Sequence, residues 1–82
     1  MDRHELRVAL SAAGVPDDCF RIEGVHEPVP TPPDFLYLRK IRGGGGAWET
    51  GAYERGVHEP VSRHASEAEA CAQLLRLLTR PS

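Results

Sequence analysis

The stretch DFLYLRKIRGGGGAWETGAYER, residues 34 to 55, decides the fold. Phe35, Tyr37 and Ile41 alternate with Leu36 and Leu38, so the first half reads as a strand with an apolar side chain on each face. Trp48 to Tyr53 is again rich in aromatic and β-compatible residues, and the run Gly43 to Gly46 between the two halves supplies a hairpin turn. Working outward, CFRIE (19–23) alternates Phe20 and Ile22 against Arg21 and Glu23, and VHEPVSRHA (57–65) reads as a fourth short strand beyond a turn at Glu54-Arg55-Gly56. Four prolines in GVHEPVPTPP (24–33) exclude helix and central strand, leaving an extended, partly polyproline-like loop.

Both ends of the chain read as helices. Asp2 and Glu5 form a capping box ahead of Leu6, Ala9, Leu10 and Ala13 at helical spacing, Gly14 supplies a left-handed stop, and Pro16 prevents continuation. At the other end Ser66 and Glu69 form a second S-x-x-E box. The stripe Cys71, Leu74, Leu75, Leu78 follows, and Arg76 and Arg80 sit where cations suit the helix dipole before Pro81 stops the helix. The expected architecture is one small α+β domain over 1–82, order αββββα. An antiparallel sheet of three to four strands carries the N- and C-terminal helices packed on one face, as a two-layer sandwich, and its other face stays wet.

Eighty-two residues bury only about 60% of the surface that the unfolded chain exposes, which leaves little room for a deep catalytic cleft. No apolar run approaches the roughly 20 residues that span a bilayer, and the charged start Met1-Asp2-Arg3-His4-Glu5 has no signal-peptide pattern. The expected location is the cytoplasm, with Cys19 and Cys71 as buried reduced thiols. Nine Arg and one Lys are spread among twelve acids, for a net charge of -2. With no basic block to track phosphates, nucleic acid is excluded as a partner. The excess of Arg over Lys, with many Ala and Gly, fits a GC-rich bacterial genome.

The hexapeptide GVHEPV occurs twice, at 24–29 and at 56–61. His26, Glu27, His58 and Glu59 are residue types that ligate zinc, but Pro28 or Pro60 follows each Glu, so neither copy can be the helical H-E-x-x-H of a zinc protease. The flanks of the copies do not match, which favours local convergence: Gly as a turn or bulge residue, Pro as the end of strand pairing. Should the copies lie side by side, they would form a rim of two His and two Glu. The glycine run leads into Ala47-Trp48-Glu49 rather than a helix and carries no Lys-Ser/Thr, so it is a hairpin and not a phosphate loop. No G-x-S-x-G elbow surrounds Ser11, Ser62, Ser66 or Ser82, and no catalytic constellation or cofactor motif is present.

What remains is surface. Tyr37, Trp48 and Tyr53 with Arg39, Arg42 and Arg55 lie in or beside the central strands, and these are the residue types that anchor protein interfaces. Trp48 has the competing reading of a core residue.

Leu10 to Asp18, Phe35 to Lys40, Trp48, Tyr53 to Gly56 and Ser66 to Cys71, in that order, resemble small uncharacterised actinobacterial proteins regarded as immunity partners of secreted polymorphic toxins. The resemblance implies the α+β fold and a non-enzymatic function, binding and occluding a toxin domain, with no cofactor. The loop 24–33 and the GVHEPV copies fall outside the matching pieces. The alternatives from other classes are a small metal- or ligand-binding protein using His26, Glu27, His58 and Glu59, and an accessory subunit of an enzyme. The chain is expected to be a monomer, or a homodimer that hides its open sheet face.

Overall fold

A computed structural model describes residues 1–43 and 45–80. Helix α1 (Arg3–Ala12) is followed by a 3-10 turn (Asp17–Cys19), strands β1 (Phe20–Ile22), β2 (Asp34–Lys40), β3 (Trp48–Glu54) and β4 (Val57–His64), and helix α2 (Glu67–Thr79). The four strands form one sheet in sequential order. Leu6 and Leu10 of α1 and Ala70, Cys71 and Leu74 of α2 bury a single core against Phe20, Ile22, Leu38 and Trp48, so both helices cover the same face. The αββββα sandwich expected from the sequence is therefore the fold.

One expectation is corrected: the sheet is mixed, not antiparallel. β2 pairs antiparallel with β3, and β3 with β4, but β1 runs parallel to β2. A parallel neighbour needs a long return connection, and the segment 23–33 provides it. Extended at roughly 3 Å per residue, it is long enough to carry the chain back along the sheet before β2 begins. On the way out, the amide of Ile22 donates to the carbonyl of His26 at 2.8 Å, and the amide of His26 donates back to Ile22 at 2.8 Å. That bridge satisfies the edge of β1 which faces away from β2. The proline-rich stretch thus acts as both crossover and edge cover.

The helix ends follow the sequence. Asp2 and Glu5 form the reciprocal capping box, and the Ser66 hydroxyl accepts from the amide of Glu69. Val15 returns over α1, its amide donating to Leu10 at 3.0 Å, beyond Gly14 at φ +80°. Ala13, expected on the buried stripe, is exposed because it falls in the C-cap. Pro81, expected to end α2, lies outside the described residues, as does Gly44 of the glycine turn. That turn is closed by the amide of Ile41 donating to the carbonyl of Ala47 at 2.9 Å.

Arg3 joins three elements. Its amide and Nε both donate to the same Glu67 oxygen, at 2.9 and 3.1 Å, and one terminal nitrogen donates to the Glu23 carbonyl at 2.7 Å. Its guanidinium also lies over the Trp48 ring, 5.2 Å from the centroid.

Hydrogen-bond parity explains how a proline sits inside β4. Pairs 41/47 and 33/55 are bonded between β2 and β3, so odd-numbered residues of β3 turn their amides toward β2 and even-numbered ones toward β4. Ala52 then faces Glu59 and Thr50 faces Ser62, with Val61 as the extra residue of a bulge. The missing N–H of Pro60 falls on the outward edge, where no partner strand requires it. The expectation that Pro60 ends strand pairing is thereby corrected, since β4 continues to His64.

The β3–β4 turn holds Arg55 at φ 49° and Gly56 at φ 86°, both positive, as a two-residue type I′ hairpin demands. Arginine pays a steric cost there that asparagine largely avoids. Arg55→Asn should therefore raise unfolding stability by about 0.5–1 kcal/mol, measured by urea denaturation. An unchanged or lowered midpoint would contradict this assignment of the turn.

Candidate functional site: the open face of the sheet

Strand alternation sorts the side chains of the sheet into two sets. Leu36, Leu38, Trp48 and Thr50 face the helices, whereas Phe35, Tyr37 and Arg39 of β2, Glu49, Gly51 and Tyr53 of β3, and Arg21 of β1 face the side that no helix covers. Yet Phe35 and Tyr37 on this open side are 5% and 2% exposed. The sequence reading expected this face to stay wet. It is instead roofed, by side chains lying flat.

Glycine 51 makes the roof possible. It stands opposite Tyr37 across the β2–β3 ladder. A Cβ at Gly51 would come within 2.6 Å of the Tyr37 hydroxyl and 2.5 Å of the Glu59 carbonyl oxygen. With no Cβ present, the phenol crosses β3, a cross-strand aromatic–glycine pairing. Its hydroxyl donates to Glu49 Oε2 at 2.7 Å, and the same oxygen accepts from Arg39 Nε at 2.8 Å. Arg39 lies over the Tyr37 ring, 5.3 Å from its centroid.

A second aromatic group adjoins the first. Phe35 and Tyr53 are stacked at 4.5 Å with ring planes 14° apart. His58 of β4 stands edge-on to both Tyr37 and Tyr53, at 5.0 and 4.9 Å. Polar atoms and rings thus fix one another in place, with no unsatisfied buried side-chain nitrogen or oxygen among the described residues.

The electrostatics follow from this packing. Burial pushes the Tyr37 phenol well above its ordinary value, and acceptance by Glu49 adds to the effect, so the phenol stays protonated as a donor. Burial alone would raise the Glu49 carboxyl, but the bonds from Tyr37 and Arg39 outweigh it and hold the group below its usual range. Burial, then the charges of Arg39 and Arg21, lower His58 against the opposing pull of Glu49. At neutral pH the cluster therefore holds a neutral ring, a neutral phenol and an ion pair. It has no activated nucleophile. Elsewhere, burial pushes the Cys71 thiol up to about 11, and burial with Asp18 raises Cys19, which is half-exposed rather than buried as expected.

Of the six candidate interface residues, Tyr37, Arg39 and Tyr53 share the open face. Trp48 is core, 8% exposed beneath the helix layer. Arg42 and Arg55 are exposed in the turns at opposite ends of β3. Phe35, Glu49, Gly51 and Arg21 belong to the site but were not singled out from sequence. Their signal is the strand register, which alone shows that Gly51 stands opposite Tyr37.

The GVHEPV copies do not form a rim of two His and two Glu, although Glu27 of one copy and His58 of the other line the same hollow of the open face. Both begin with a positive-φ glycine at a chain reversal, Gly24 at 77° and Gly56 at 86°, so the shared solution is the turn. His26 packs on Phe20 at 4.5 Å with Nε2 at 2.7 Å from the Asp17 carbonyl, on the helix side. Glu27 accepts from the Gly24 amide at 3.2 Å and lies 3.7 Å from Arg21. His58 is on the open face, while Glu59, the next residue of β4, is turned to the other side. Among the described residues no three His, Cys, Asp or Glu side chains group so as to hold a metal ion, and no helix is long and apolar enough to cross a membrane.

No protein-family model, curated protein or solved structure matches this chain.

Two outcomes are expected. Gly51→Ala should destabilise the protein by about 2–3 kcal/mol, because the backbone oxygen of Glu59 cannot yield as a flexible side chain would; a chemical denaturation midpoint within error of the parent would refute the close approach. Stability should also fall with pH. The unfolded chain protonates His58 near 6.5 and Glu49 near 4.5, whereas the folded chain does so only at lower pH, so acid favours the unfolded state first through His58 and then through Glu49. His58→Phe keeps the edge-on ring and should flatten the urea midpoint between about pH 7 and 5 while leaving the loss below about pH 4.5.

Proposed function

We propose that this chain is a non-enzymatic protein-binding module that works in the cytoplasm, and that it acts as an immunity protein, occluding a bacterial toxin domain with the open face of its sheet. One observation carries the reading: a sheet face left without a covering element bears aromatic and Arg side chains already locked by mutual contacts. Anchors that are rigid before association lose little entropy on binding, which is how small interfaces reach high affinity. Arg39, held at Nε by Glu49 and stacked on Tyr37, and Tyr53, stacked on Phe35, are the two half-exposed anchors. The buried phenol and the ion-paired carboxylate are scaffold for them. The resemblance of the strand and helix segments to immunity partners of polymorphic toxins supports the same reading.

The face also permits a homodimer, since an isologous contact would cover the same residues. Light scattering distinguishes the two: the module reading expects a monomer that forms a stoichiometric complex with one protein from the native host. Arg39→Ala and Tyr53→Ala should each weaken that complex by roughly 30-fold or more, as for hot-spot truncations of about 2 kcal/mol. Arg7→Ala, on the exposed side of α1, should leave it unchanged. Equal capture by all three variants would overturn the proposal, as would a dimer that buries the face and binds nothing else.

A further inference from the structure

Beside the aromatic cluster the open face contains a hollow of about 230 Å³, whose lining includes Arg21, Glu23, Glu27, Arg39 and His58 together with Tyr37 and Leu38. It is smaller than the roughly 300–1,000 Å³ of small-molecule pockets and suits one inserted side chain. Building on the protein-binding reading above, we propose that this hollow receives an acidic side chain of the partner, whose carboxylate bridges Arg21 and Arg39.

Three features converge on a carboxylate. Arg39 is oriented but not used up: Glu49 takes its Nε and Tyr37 supports its plane, while its terminal nitrogens make no other ion pair among the described residues, and 40% of the side chain is exposed. A guanidinium fixed at one edge presents the other as a ready two-pronged donor. Among the described residues Arg21 pairs only with Glu27, at 3.7 Å with 40% and 45% of the two side chains exposed, and a solvated contact of that length is readily exchanged. Glu27 therefore occupies the place of the incoming group, an internal carboxylate that a better-placed one displaces. Finally, the exposed His58 ring lines the same hollow, and desolvation followed by the charges of Arg39 and Arg21 lowers its pKa, so both guanidinium groups act on one point of the hollow.

The surrounding acids select among anions. Glu23 and Glu27 at the rim would repel a polyanion such as a nucleic acid backbone, whereas a single carboxylate reaches the two arginines and replaces one of those acids. Glu49 is spent on Tyr37 and Arg39 and does not compete.

The test uses the whole chain and defined probes: N-acetyl-glutamate N-methylamide, its glutamine counterpart, and N-acetylglycine for a terminal carboxylate. NMR of arginine Nε–H groups and the His58 ring should show saturable shifts at Arg21, Arg39 and His58 with the glutamate probe and none with the glutamine probe. Arg39→Lys should weaken the response about tenfold by removing the forked donor. Glu27→Gln keeps an acceptor for the Gly24 amide but removes the internal competitor, and should strengthen probe binding about fivefold, a gain that a damaged fold cannot produce. No saturation, equal response to glutamine, tighter binding of N-acetylglycine, or unchanged affinity in Glu27→Gln would overturn the proposal. Capture of a host protein through Arg39 and Tyr53 without probe binding would remove this inference alone. Probe binding with no such complex would remove the protein-binding reading and leave the carboxylate site standing.

Discussion

The open face depends on a missing atom. Without a Cβ at Gly51, the Tyr37 ring lies across β3 and delivers its hydroxyl to Glu49 at 2.7 Å. Glu49 in turn fixes Arg39, and Arg39 settles over the ring that placed Glu49. Each contact limits the freedom of the next, so a face with no helix above it still excludes water from Phe35 and Tyr37. In a domain this small, a sheet that left one side fully wetted would forgo much of its apolar burial. Flat-lying side chains recover part of it without the cost of another element.

The two faces hold together by different means. Beneath the helices, Leu, Ile, Phe and Trp side chains form an apolar core that is non-directional and tolerant of exchange. Above, few groups meet, but each is directed by a hydrogen bond or a ring geometry. Directional contacts specify position, and position is what recognition requires. The same contacts set the charge states of this face: its phenol is pinned as a donor, its carboxylate is paired, and its imidazole is neutral.

The edges of the sheet show how the chain avoids pairing with itself. β1 is short and bridged by the returning loop at His26. β4 is long and exposed, but Pro60 removes one outward donor and the Val61 bulge breaks the register, two devices that discourage strand addition. In both copies of GVHEPV glycine reverses the chain, and the residues after it are then used differently, for edge cover in one case and for an edge strand in the other.

Much of this was legible in the residues themselves. The capping box at Asp2, the Ser66 N-cap, the glycine stop at residue 14, the four strands and the apolar stripes of both helices are local signals, because helix and strand periods act over a few neighbouring residues. Direction and depth were not legible. That β1 runs parallel to β2 depends on where an eleven-residue proline-rich connector travels, and nothing local encodes that path. Trp48 and Tyr53, both aromatic and both on β3, differ in fate only because one side of that strand meets α2 and Arg3 while the other meets Phe35 and His58. The sequence alone determined which segments become helix and strand and which side chains are apolar enough to need cover. Tertiary structure decided which glycine stands beneath which tyrosine, since register joins residues that no local pattern relates.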